Sequence, residues 1–489
     1  MASDRVNEIF AFEISQVISI IFRTASRWIF FAALVYAPWA YGATTSATIN
    51  ITNLVLLVAL VLWGAELVTA RRRPDVPPFL LILTGGLVCI GGWMALNAKS
   101  IYDPEYSLFV QLRNLVPFLT GSVDYANSVA WMWRGALLLG SILFVCDLSQ
   151  SSRWLLRLWY VIGLVGGSIA FLGLLQKATG AQMIFWQPAP PPEYGVTTFF
   201  ASYFYHGNAG AFLNLVWPLG AGLVIRAFTS KSQPGMRALW TIVFIVTMAG
   251  VAANTSRMAQ VVALILLVMI CLHFGPRLLQ RLSAAHKGVA IAGSFAIVLT
   301  LFALAQATHL EQSLNRWQLV SGQIPADLRW QASRVALGAL PSAGLFGSGP
   351  GTFRVVFPSY NIASGHAVPG SWRFLHEDYL QTVIEWGWLG SSLWALLFLG
   401  GIAVGIFSYN KYATRDWIPR RRLMQPLAII ALGGVAIHAL VDFPFQIESI
   451  QLYIATYLGV CWGSSLWCDR REVRVDNAEP MVRAEHSGI

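Results

Sequence analysis

Residues 47–68 have the sequence ATINITNLVLLVALVLWGAELV, in which Glu66 is the one charged residue among 22 positions. A helix of this length extends for about 33 Å at 1.5 Å per residue, and about 20 apolar residues suffice to cross the hydrocarbon core of a bilayer. The stretch therefore predicts a membrane-spanning helix.

The composition of the whole chain agrees with that prediction. Hydrophobic residues make up 56% of the 489 residues and charged residues 11%, and the mean hydropathy is +0.59. Typical soluble domains have about 45–50% apolar and about 25% charged residues. A soluble enzyme, a disordered chain and a disulfide scaffold are excluded, and the fold class expected is an all-α polytopic membrane protein.

Eleven further apolar segments follow the same pattern, so about twelve transmembrane helices are expected. They cover residues 24–44, 77–97, 128–147, 154–176, 206–227, 237–253, 257–275, 288–307, 379–407, 425–443 and 449–468.

The distribution of basic residues predicts the orientation of these helices. With the N-terminus in the cytoplasm, 23 of the 33 Lys and Arg residues lie on the cytoplasmic side, as the positive-inside rule requires. The net charge of +10 therefore indicates membrane topology rather than nucleic-acid binding, because the basic residues lie between apolar segments instead of on one solvated face. Both termini are expected in the cytoplasm.

This topology divides the chain into four parts. Residues 1–307 contain the first nine helices, and residues 308–378 form a long periplasmic loop. Residues 379–468 contain helices ten to twelve, and residues 469–489 form a cytoplasmic tail. Loops of this length are usually functional.

The 308–378 loop is the strongest candidate for a functional segment. It contains five arginines and no lysine: Arg316, Arg329, Arg334, Arg354 and Arg373. Within it, residues 327–340 predict an amphipathic helix that begins at Asp327 and ends before Pro341. Residues 341–375 are rich in Gly, Pro and Ser and predict an irregular loop.

The arginines favour recognition of phosphate or carboxylate, because a guanidinium binds these groups through two parallel hydrogen bonds and stays charged at any working pH. Arg257 lies in a short outer link between two apolar segments, where a lipid-linked phosphate would be within reach. Surface ion pairing of the loop arginines, and extension of Arg257 toward the membrane interface, are the structural alternatives.

His376 lies where the long loop enters the tenth apolar segment. The amino end of a helix disfavours an imidazolium and favours the neutral imidazole that a general base requires. Glu377 and Asp378 have the opposite effect, and a surface histidine without a catalytic role is the alternative.

Three other groups of polar residues allow two interpretations each. The glycine run from Gly347 to Gly351 predicts either a tight turn or backbone N–H groups that face an anion. His438 and Asp442 share a helix face and suit either a proton relay or a structural hydrogen bond. Asp103 and Glu105 alone are a weak metal signal, so no metal is expected.

The same residues resemble the bacterial O-antigen ligase and polymerase superfamily. The resemblance rests on Gly347–Phe353, on Phe357–Tyr360, and on His376 followed at the family spacing by Gly387 and Gly390. Tyr205–Ala209 and Thr255–Arg257 are also similar, so the resemblance covers roughly residues 200–395. Glu377 stands where the ligases have Asn, Ser or Gln.

The resemblance implies transfer of a glycan from undecaprenyl diphosphate to a hydroxyl group, at the periplasmic face of the bacterial inner membrane. It makes His376 the general base and assigns Arg257, with Arg334 or Arg329, to the diphosphate. No metal or other cofactor is implied. Further substrate-binding residues implied are His206, Asn208, Gly349, Gly351, Tyr379 and Glu385.

Three functions are consistent with these residues. A ligase would use a lipid A-core acceptor, and a polymerase would use another carrier-linked glycan. A transporter of glycans would instead use polar residues near the middle of the membrane, such as His438.

Overall fold

The computed structural model describes residues 2–188, 198–230, 232–282, 327–365 and 368–467. The described residues are about 75% helical with almost no sheet. The thirteen α-helices of the described ranges are α1 (Ala2–Trp39), α2 (Ser46–Thr69), α3 (Pro78–Leu96), α4 (Tyr125–Leu148), α5 (Ser152–Ala178), α6 (His206–Thr229), α7 (Pro234–Ala253), α8 (Arg257–Leu282), α9 (Leu328–Ala343), α10 (Phe353–Ala363), α11 (Asp378–Tyr412), α12 (Pro419–His438) and α13 (Glu448–Gly463). Strands β1 (Ser100–Asp103) and β2 (Leu108–Gln111) form one antiparallel hairpin.

Nine helices within these ranges are long and apolar enough to cross a membrane. They are α1 to α8 and α11, and they overlap the first eight predicted segments and the tenth. The expectation of an all-α, multi-pass membrane protein is confirmed. The ninth predicted segment, 288–307, and the 469–489 tail lie outside the described residues.

The two remaining predicted segments form helices that are less suited to crossing. Helix α12 contains Arg420, Arg421 and Arg422 in its first turn, which lowers its hydropathy. Helix α13 has 16 residues, which corresponds to about 24 Å at 1.5 Å per residue. The total of twelve spans stays a prediction.

Helix α13 lies at the centre of the bundle. Every residue from Glu448 to Gly463 except Gln451 is buried, and the helix packs against α1, α4, α6, α11 and α12. A helix that is apolar on all sides is expected in such an interior position. Gly459 permits its close approach to α4, since a Cβ there would lie 2.7 Å from the Ile142 carbonyl oxygen.

Ion pairs hold one end of the bundle together. Glu66 at the end of α2 pairs with Arg23 of α1 and with Arg72, each at 2.7 Å. Arg72 also pairs at 2.7 Å with Asp147 at the end of α4. Because each charge is hydrogen-bonded to an opposite one, this network joins three helices without leaving a carboxylate unpaired.

The opposite end of the bundle carries the elements between the long helices. Here α9 and α10 pack together around a small apolar core of their own, which includes Ala332, Val335, Phe353 and Phe357. The irregular loop predicted for residues 341–375 is therefore wrong in part, because burial of one face of α10 stabilises a helix that begins directly after the glycine run.

The predicted boundaries of the first of these helices are close to those observed. Asp327 caps α9 by accepting a hydrogen bond from the backbone N–H of Arg329 at 2.9 Å. Pro341, predicted to follow the helix, lies inside its last turn.

Helix α11 is broken at Gly387, whose φ is +62°. The break removes two helical hydrogen bonds, and the α9–α10 connection replaces them. Trp388 and Leu389 donate their N–H groups to the carbonyls of Gly344 at 3.1 Å and Leu345 at 3.0 Å. The carbonyls left over on α11 are those of Ile384 and Glu385, and each accepts a bond of 2.9 Å from the glycine run. The glycine run is thereby fixed against α11.

Candidate functional site

Four elements bring polar side chains together at the end of the bundle where α9 and α10 lie. Tyr205 precedes α6, Arg329 begins α9, His376 precedes α11 and Asp442 follows α12. We call these four residues the His376 cluster. They are far apart in the sequence, and the packing of α6, α11 and α12 places them in contact.

His376 and Asp442 form the central pair of the cluster. The Nδ1 atom of His376 lies 3.1 Å from Oδ1 of Asp442. A carboxylate can only accept a hydrogen bond, so Nδ1 carries a proton, and in the neutral imidazole Nε2 is then the nitrogen with the lone pair. The His376 side chain is 20% exposed and that of Asp442 5%. The geometry is that of a base oriented by a buried carboxylate.

The backbone of His376 has an uncommon conformation. Its φ is +64°, in the left-handed region that few non-glycine residues adopt. Strained residues of this kind often occur at active sites, where the surrounding structure holds them in place. At His376 the surroundings include Phe443, whose ring centroid lies 4.5 Å from the imidazole, and Trp372 at 6.2 Å.

Tyr205 connects Asp442 to Arg329. Its hydroxyl donates to Oδ2 of Asp442 at 3.0 Å and accepts a hydrogen bond from Nη2 of Arg329 at 3.1 Å. Its ring stacks on Phe443 with centroids 5.6 Å apart. A guanidinium therefore lies one hydroxyl group away from the carboxylate that orients His376.

The charges of the cluster follow from these contacts. Burial of Asp442 opposes its ionisation, but the hydrogen bond from His376 and the two neighbouring imidazoles outweigh that effect and hold its pKa well below the usual range. Burial and the nearby Asp442 carboxylate raise the pKa of Tyr205 well above its ordinary value. At neutral pH Asp442 is thus an anion and Tyr205 a neutral donor.

Glycine at position 207 allows the cluster to close. A Cβ on Gly207 would lie 2.5 Å from Oδ2 of Asp442 and 2.7 Å from Cζ of Tyr205. Any side chain there would displace the carboxylate or the phenol. The start of α6 therefore needs glycine for steric reasons.

No protein-family model and no curated protein matches the chain.

The predicted diphosphate-binding arginines occupy different positions. Arg329 is half-buried and belongs to the cluster. Arg334 is exposed and lies over the ring of Trp330, 5.6 Å from its centroid. Arg257 is half-buried and begins α8. The structure links Arg329, but not Arg334, directly to Tyr205.

The α7–α8 link lies against the start of α6, which brings Arg257 to the same end of the bundle as the cluster. Asn254 donates from Nδ2 to the carbonyl of His206 at 2.9 Å. His206 is buried, and its Nδ1 lies 3.0 Å from the Thr198 carbonyl. Asn208 is also buried, one turn into α6. Substrate binding by His206 and Asn208 stays a prediction.

Glu385 is engaged with the glycine run. Its carboxylate accepts hydrogen bonds from the N–H groups of Gly351 at 3.1 Å and Phe353 at 3.0 Å. Gly349 donates to the carbonyl of Glu385 at 2.9 Å. These contacts favour the tight-turn interpretation of the glycine run over an anion cradle, since protein groups already accept from these N–H donors. The predicted role of Gly349, Gly351 and Glu385 in substrate binding is untested.

Tyr379 and Asp378 fix α11 to the elements around Asp442. The hydroxyl of Tyr379 donates to the Ala436 carbonyl at 2.7 Å. Asp378 accepts bonds from the Phe445 N–H at 2.8 Å and from Nε2 of Gln446 at 3.0 Å. These contacts hold His376 and Asp442 in register. The Tyr379 side chain is exposed and therefore accessible to a substrate. Its role in substrate binding stays a prediction.

The remaining polar candidates from the sequence are His438 and the pair Asp103 and Glu105. His438 is buried at the last turn of α12, with Nε2 3.7 Å from Oδ2 of Asp442, which exceeds hydrogen-bonding distance. Asp103 accepts from the N–H of Glu105 at 2.9 Å in the hairpin turn. Within the described ranges, no group of three or more His, Cys, Asp or Glu residues is arranged to hold a metal ion.

Sequence reasoning identified His376 but not its partners. Asp442 lies 66 residues away along the chain, and its pairing with His438 by helical spacing was the more obvious hypothesis. Tyr205 begins the Tyr205–Ala209 segment of the family resemblance, which assigns it no role. The sequence signal for Asp442 is its place directly before two closely spaced aromatic residues, Phe443 and Phe445.

Proposed function

We propose that the protein is a membrane glycosyltransferase of the O-antigen ligase or polymerase kind. In this proposal it transfers a glycan from undecaprenyl diphosphate to a hydroxyl group, at the periplasmic face of the inner membrane. The observation that carries the proposal is the pairing of His376 with Asp442 in the His376 cluster, beside Arg329 and at the end of an apolar helix bundle.

The orientation of His376 supports its role as general base. Nδ1–H of His376 donates a hydrogen bond to Oδ1 of Asp442, with Nδ1 and Oδ1 3.1 Å apart, so Nε2 is the atom that takes the proton of the acceptor hydroxyl. As that proton leaves, the hydroxyl oxygen forms a bond to the anomeric carbon of the glycan. The imidazolium that results is stabilised by the Asp442 anion.

The leaving group defines the role of the arginines. The bond between the anomeric carbon and the diphosphate oxygen breaks with its electrons on the diphosphate, and the attack from the opposite side inverts the anomeric centre. Preorganised positive charge stabilises such a leaving group. A guanidinium has five N–H donors, and Tyr205 accepts one from Arg329. The others are suited to a phosphate, and Arg257 supplies a second guanidinium at the same end of the bundle.

The apolar surface of the helices supports a lipid-linked donor. Large hydrophobic side chains are exposed on the outer faces of the spanning helices, among them Ile82 on α3, Leu264 on α8 and Leu399 on α11. A polyprenyl tail dissolves in the bilayer beside such faces, while its diphosphate stays at the boundary.

Two members of this class of enzyme fit the same chemistry. A ligase and a polymerase share the donor, the base and the leaving group, and differ in whether the acceptor is a lipid A-core or another carrier-linked glycan. The proposal covers both. Transport is less well supported, since His438 lies at the end of α12 beside Asp442 rather than midway along a spanning helix.

The proposal is tested by the lipid that accumulates in cells without the protein. These cells are expected to accumulate undecaprenyl diphosphate that carries a glycan, measured by mass spectrometry of extracted lipids. Expression of the native protein should remove the accumulated lipid. The control variant His273→Ala, toward the end of α8 opposite Arg257, should remove it as well, whereas His376→Ala should not. Accumulation that His376→Ala corrects as well as the native protein does would contradict the proposal.

A further inference from the structure

A second group of arginines surrounds a cavity that the His376 cluster does not include. The cavity has a volume of about 280 Å³ and lies between the first turns of α2 and α4, the start of α10 and the first turns of α11. Its wall includes Arg134, Arg354 and Arg373. We call it the arginine cavity. Its volume approaches the lower end of the range for small-molecule sites.

The cavity has an excess of positive charge. Three guanidinium groups and one carboxylate, that of Glu385, contribute to its wall. The Glu385 carboxylate already accepts hydrogen bonds from the N–H groups of Gly351 and Phe353. Arg354 donates to Oδ1 of Asn127, a neutral partner, and Arg373 lies over the ring of Phe374. An anionic group is therefore favoured in the cavity.

Polar atoms of the wall residues also lack protein hydrogen-bond partners. Among the described residues, Nε of Arg134, Nε1 of Trp131 and Oδ1 of Asn53 are buried without a hydrogen bond. The first two are donors and the third is an acceptor. Buried polar groups cost free energy unless they are paired. The wall also includes the side-chain amides of Asn50, Asn53 and Gln381, so a ligand that matches it both accepts and donates hydrogen bonds.

We propose that the arginine cavity binds an acidic sugar, meaning a sugar residue that carries a carboxylate or a phosphate. The acidic group pairs with the arginines, and the hydroxyl groups both donate and accept, which matches the side-chain amides of Asn50, Asn53 and Gln381. A simple anion such as phosphate has no hydroxyl-bearing ring to fill the remaining volume. The wall also includes the aromatic side chains of Trp131 and Trp133, which suit the apolar surface of a sugar ring.

The position of the cavity near His376 indicates that this sugar belongs to the acceptor. Phe374 lines the cavity and stacks on Phe443 at 4.9 Å, and Phe443 lies 4.5 Å from His376. Two stacked aromatic rings, those of Phe374 and Phe443, thus separate the acidic-sugar site from the proposed base. Assignment of this sugar to the acceptor rests on the proposed function, whereas binding itself does not.

The test is equilibrium binding to the purified full-length protein in detergent, by calorimetry and without any lipid-linked donor. The probes are trigalacturonate, glucose 6-phosphate, neutral maltotriose and inorganic phosphate. Saturable binding of trigalacturonate or glucose 6-phosphate is expected, at least tenfold tighter than that of maltotriose or phosphate. The acidic probe that binds better identifies carboxylate or phosphate as the preferred group.

Variants at exposed positions test the site without disturbing the bundle. Arg354→Gln and Arg373→Gln should each weaken binding about tenfold, since each removes a charged hydrogen-bond donor. Arg113→Gln, an exposed arginine at the same end that does not line the cavity, should leave binding unchanged. Binding of maltotriose or of phosphate as tight as that of the acidic probes would overturn the proposal. So would unchanged binding in both Arg354→Gln and Arg373→Gln.

The same assay separates this inference from the proposed function. His376→Ala should bind the acidic probe as the native protein does, because His376 does not line the cavity. Loss of glycan transfer with binding intact leaves the acidic-sugar site standing. Absence of acidic-probe binding in a protein that transfers glycans refutes the site and leaves the proposed function standing.

Discussion

Asp442 is the residue on which the orientation of His376 depends. It accepts hydrogen bonds from Nδ1 of His376 at 3.1 Å and from the Tyr205 hydroxyl at 3.0 Å. Both bonds reach a carboxylate that is almost fully buried. A change that keeps its size and removes its charge therefore isolates the electrostatic contribution of Asp442.

Asp442→Asn should reduce glycan transfer by roughly 10²–10⁴ because an amide can donate to Nδ1 and move the proton to Nε2, the atom that has to act as base. The measurement is the initial rate in a purified assay with lipid-linked donor. Asp103→Asn, a change to a carboxylate in the hairpin, is the matched control and should keep full activity. A rate within threefold of the native one for Asp442→Asn would remove Asp442 from the mechanism.

The three candidate arginines should differ in their response to lysine. Arg329→Lys should lower the rate of transfer by a factor on the order of 10². The lysine ammonium is a point charge and cannot replace the planar guanidinium, which donates to Tyr205 and, in the proposal, to phosphate. Arg257→Lys should also lose most activity. Arg334→Lys should lose less, since Arg334 is exposed over Trp330. The measurement is the same rate with a chelator present.

The opposite order of these effects would assign the diphosphate to Arg334 instead. Chelator-sensitive transfer together with an active Arg257→Lys would point to a metal-bridged diphosphate and contradict an arginine clamp.

At the scale of single residues, the sequence predicts a role for His376 but does not predict its contacts. A histidine at the start of a helix below an arginine-rich segment can be found by inspection. Its hydrogen bond to Asp442 cannot, because that contact depends on how α11 packs against α12. The same holds for Arg329, whose contact with Tyr205 joins residues 124 positions apart.

Among the elements, the broken helix α11 has the most consequence for the site. Gly387 has φ +62° and ψ −173°, a combination that is essentially restricted to glycine. The break lets the glycine run bond to the carbonyls of Ile384 and Glu385. It therefore couples the α9–α10 region to the helix that begins beside His376.

Gly387→Ala should destabilise the protein by on the order of 1–3 kcal/mol from backbone strain alone. A clash adds to this, because a Cβ would lie against the backbone of Leu345, Phe346 and Gly347. The measurement is the thermal unfolding midpoint in detergent, which should fall by several degrees. Gly85→Ala on α3, where a Cβ meets nothing within 4 Å, should leave the midpoint unchanged. Equal midpoints for both variants would show that the break is not under steric constraint.

Prediction of the elements succeeded where one physical cause dominates. The long apolar segments formed helices because a bilayer requires all backbone groups to be bonded within the segment. Helix α10 was missed because its sequence contains Pro358 and follows a glycine run, which are local signals for a loop. Its buried face, with Phe353 and Phe357, becomes evident only when α9 lies against it.

For the whole molecule, the orientation in the membrane follows from the distribution of charge. The end that carries α9 and α10 is expected in the periplasm, and the end with Arg72 and Asp147 in the cytoplasm. Cysteine at Ser364 should react with a membrane-impermeant thiol reagent in intact spheroplasts, and cysteine at Thr414 should not. Both positions are exposed, so access to the reagent depends on the side of the membrane. Labelling at Thr414 alone would invert the topology.

The central claim is glycan transfer by His376 in the cluster that Asp442 organises. Its most direct test is a reaction of purified protein, in the presence of chelator, with membranes from cells that lack the protein and so supply both donor and acceptor. The native protein is expected to form a glycosylated acceptor and to release undecaprenyl diphosphate in equal amount, whereas His376→Ala forms neither. Equal product from His376→Ala, or no transfer by the native protein, would contradict the claim.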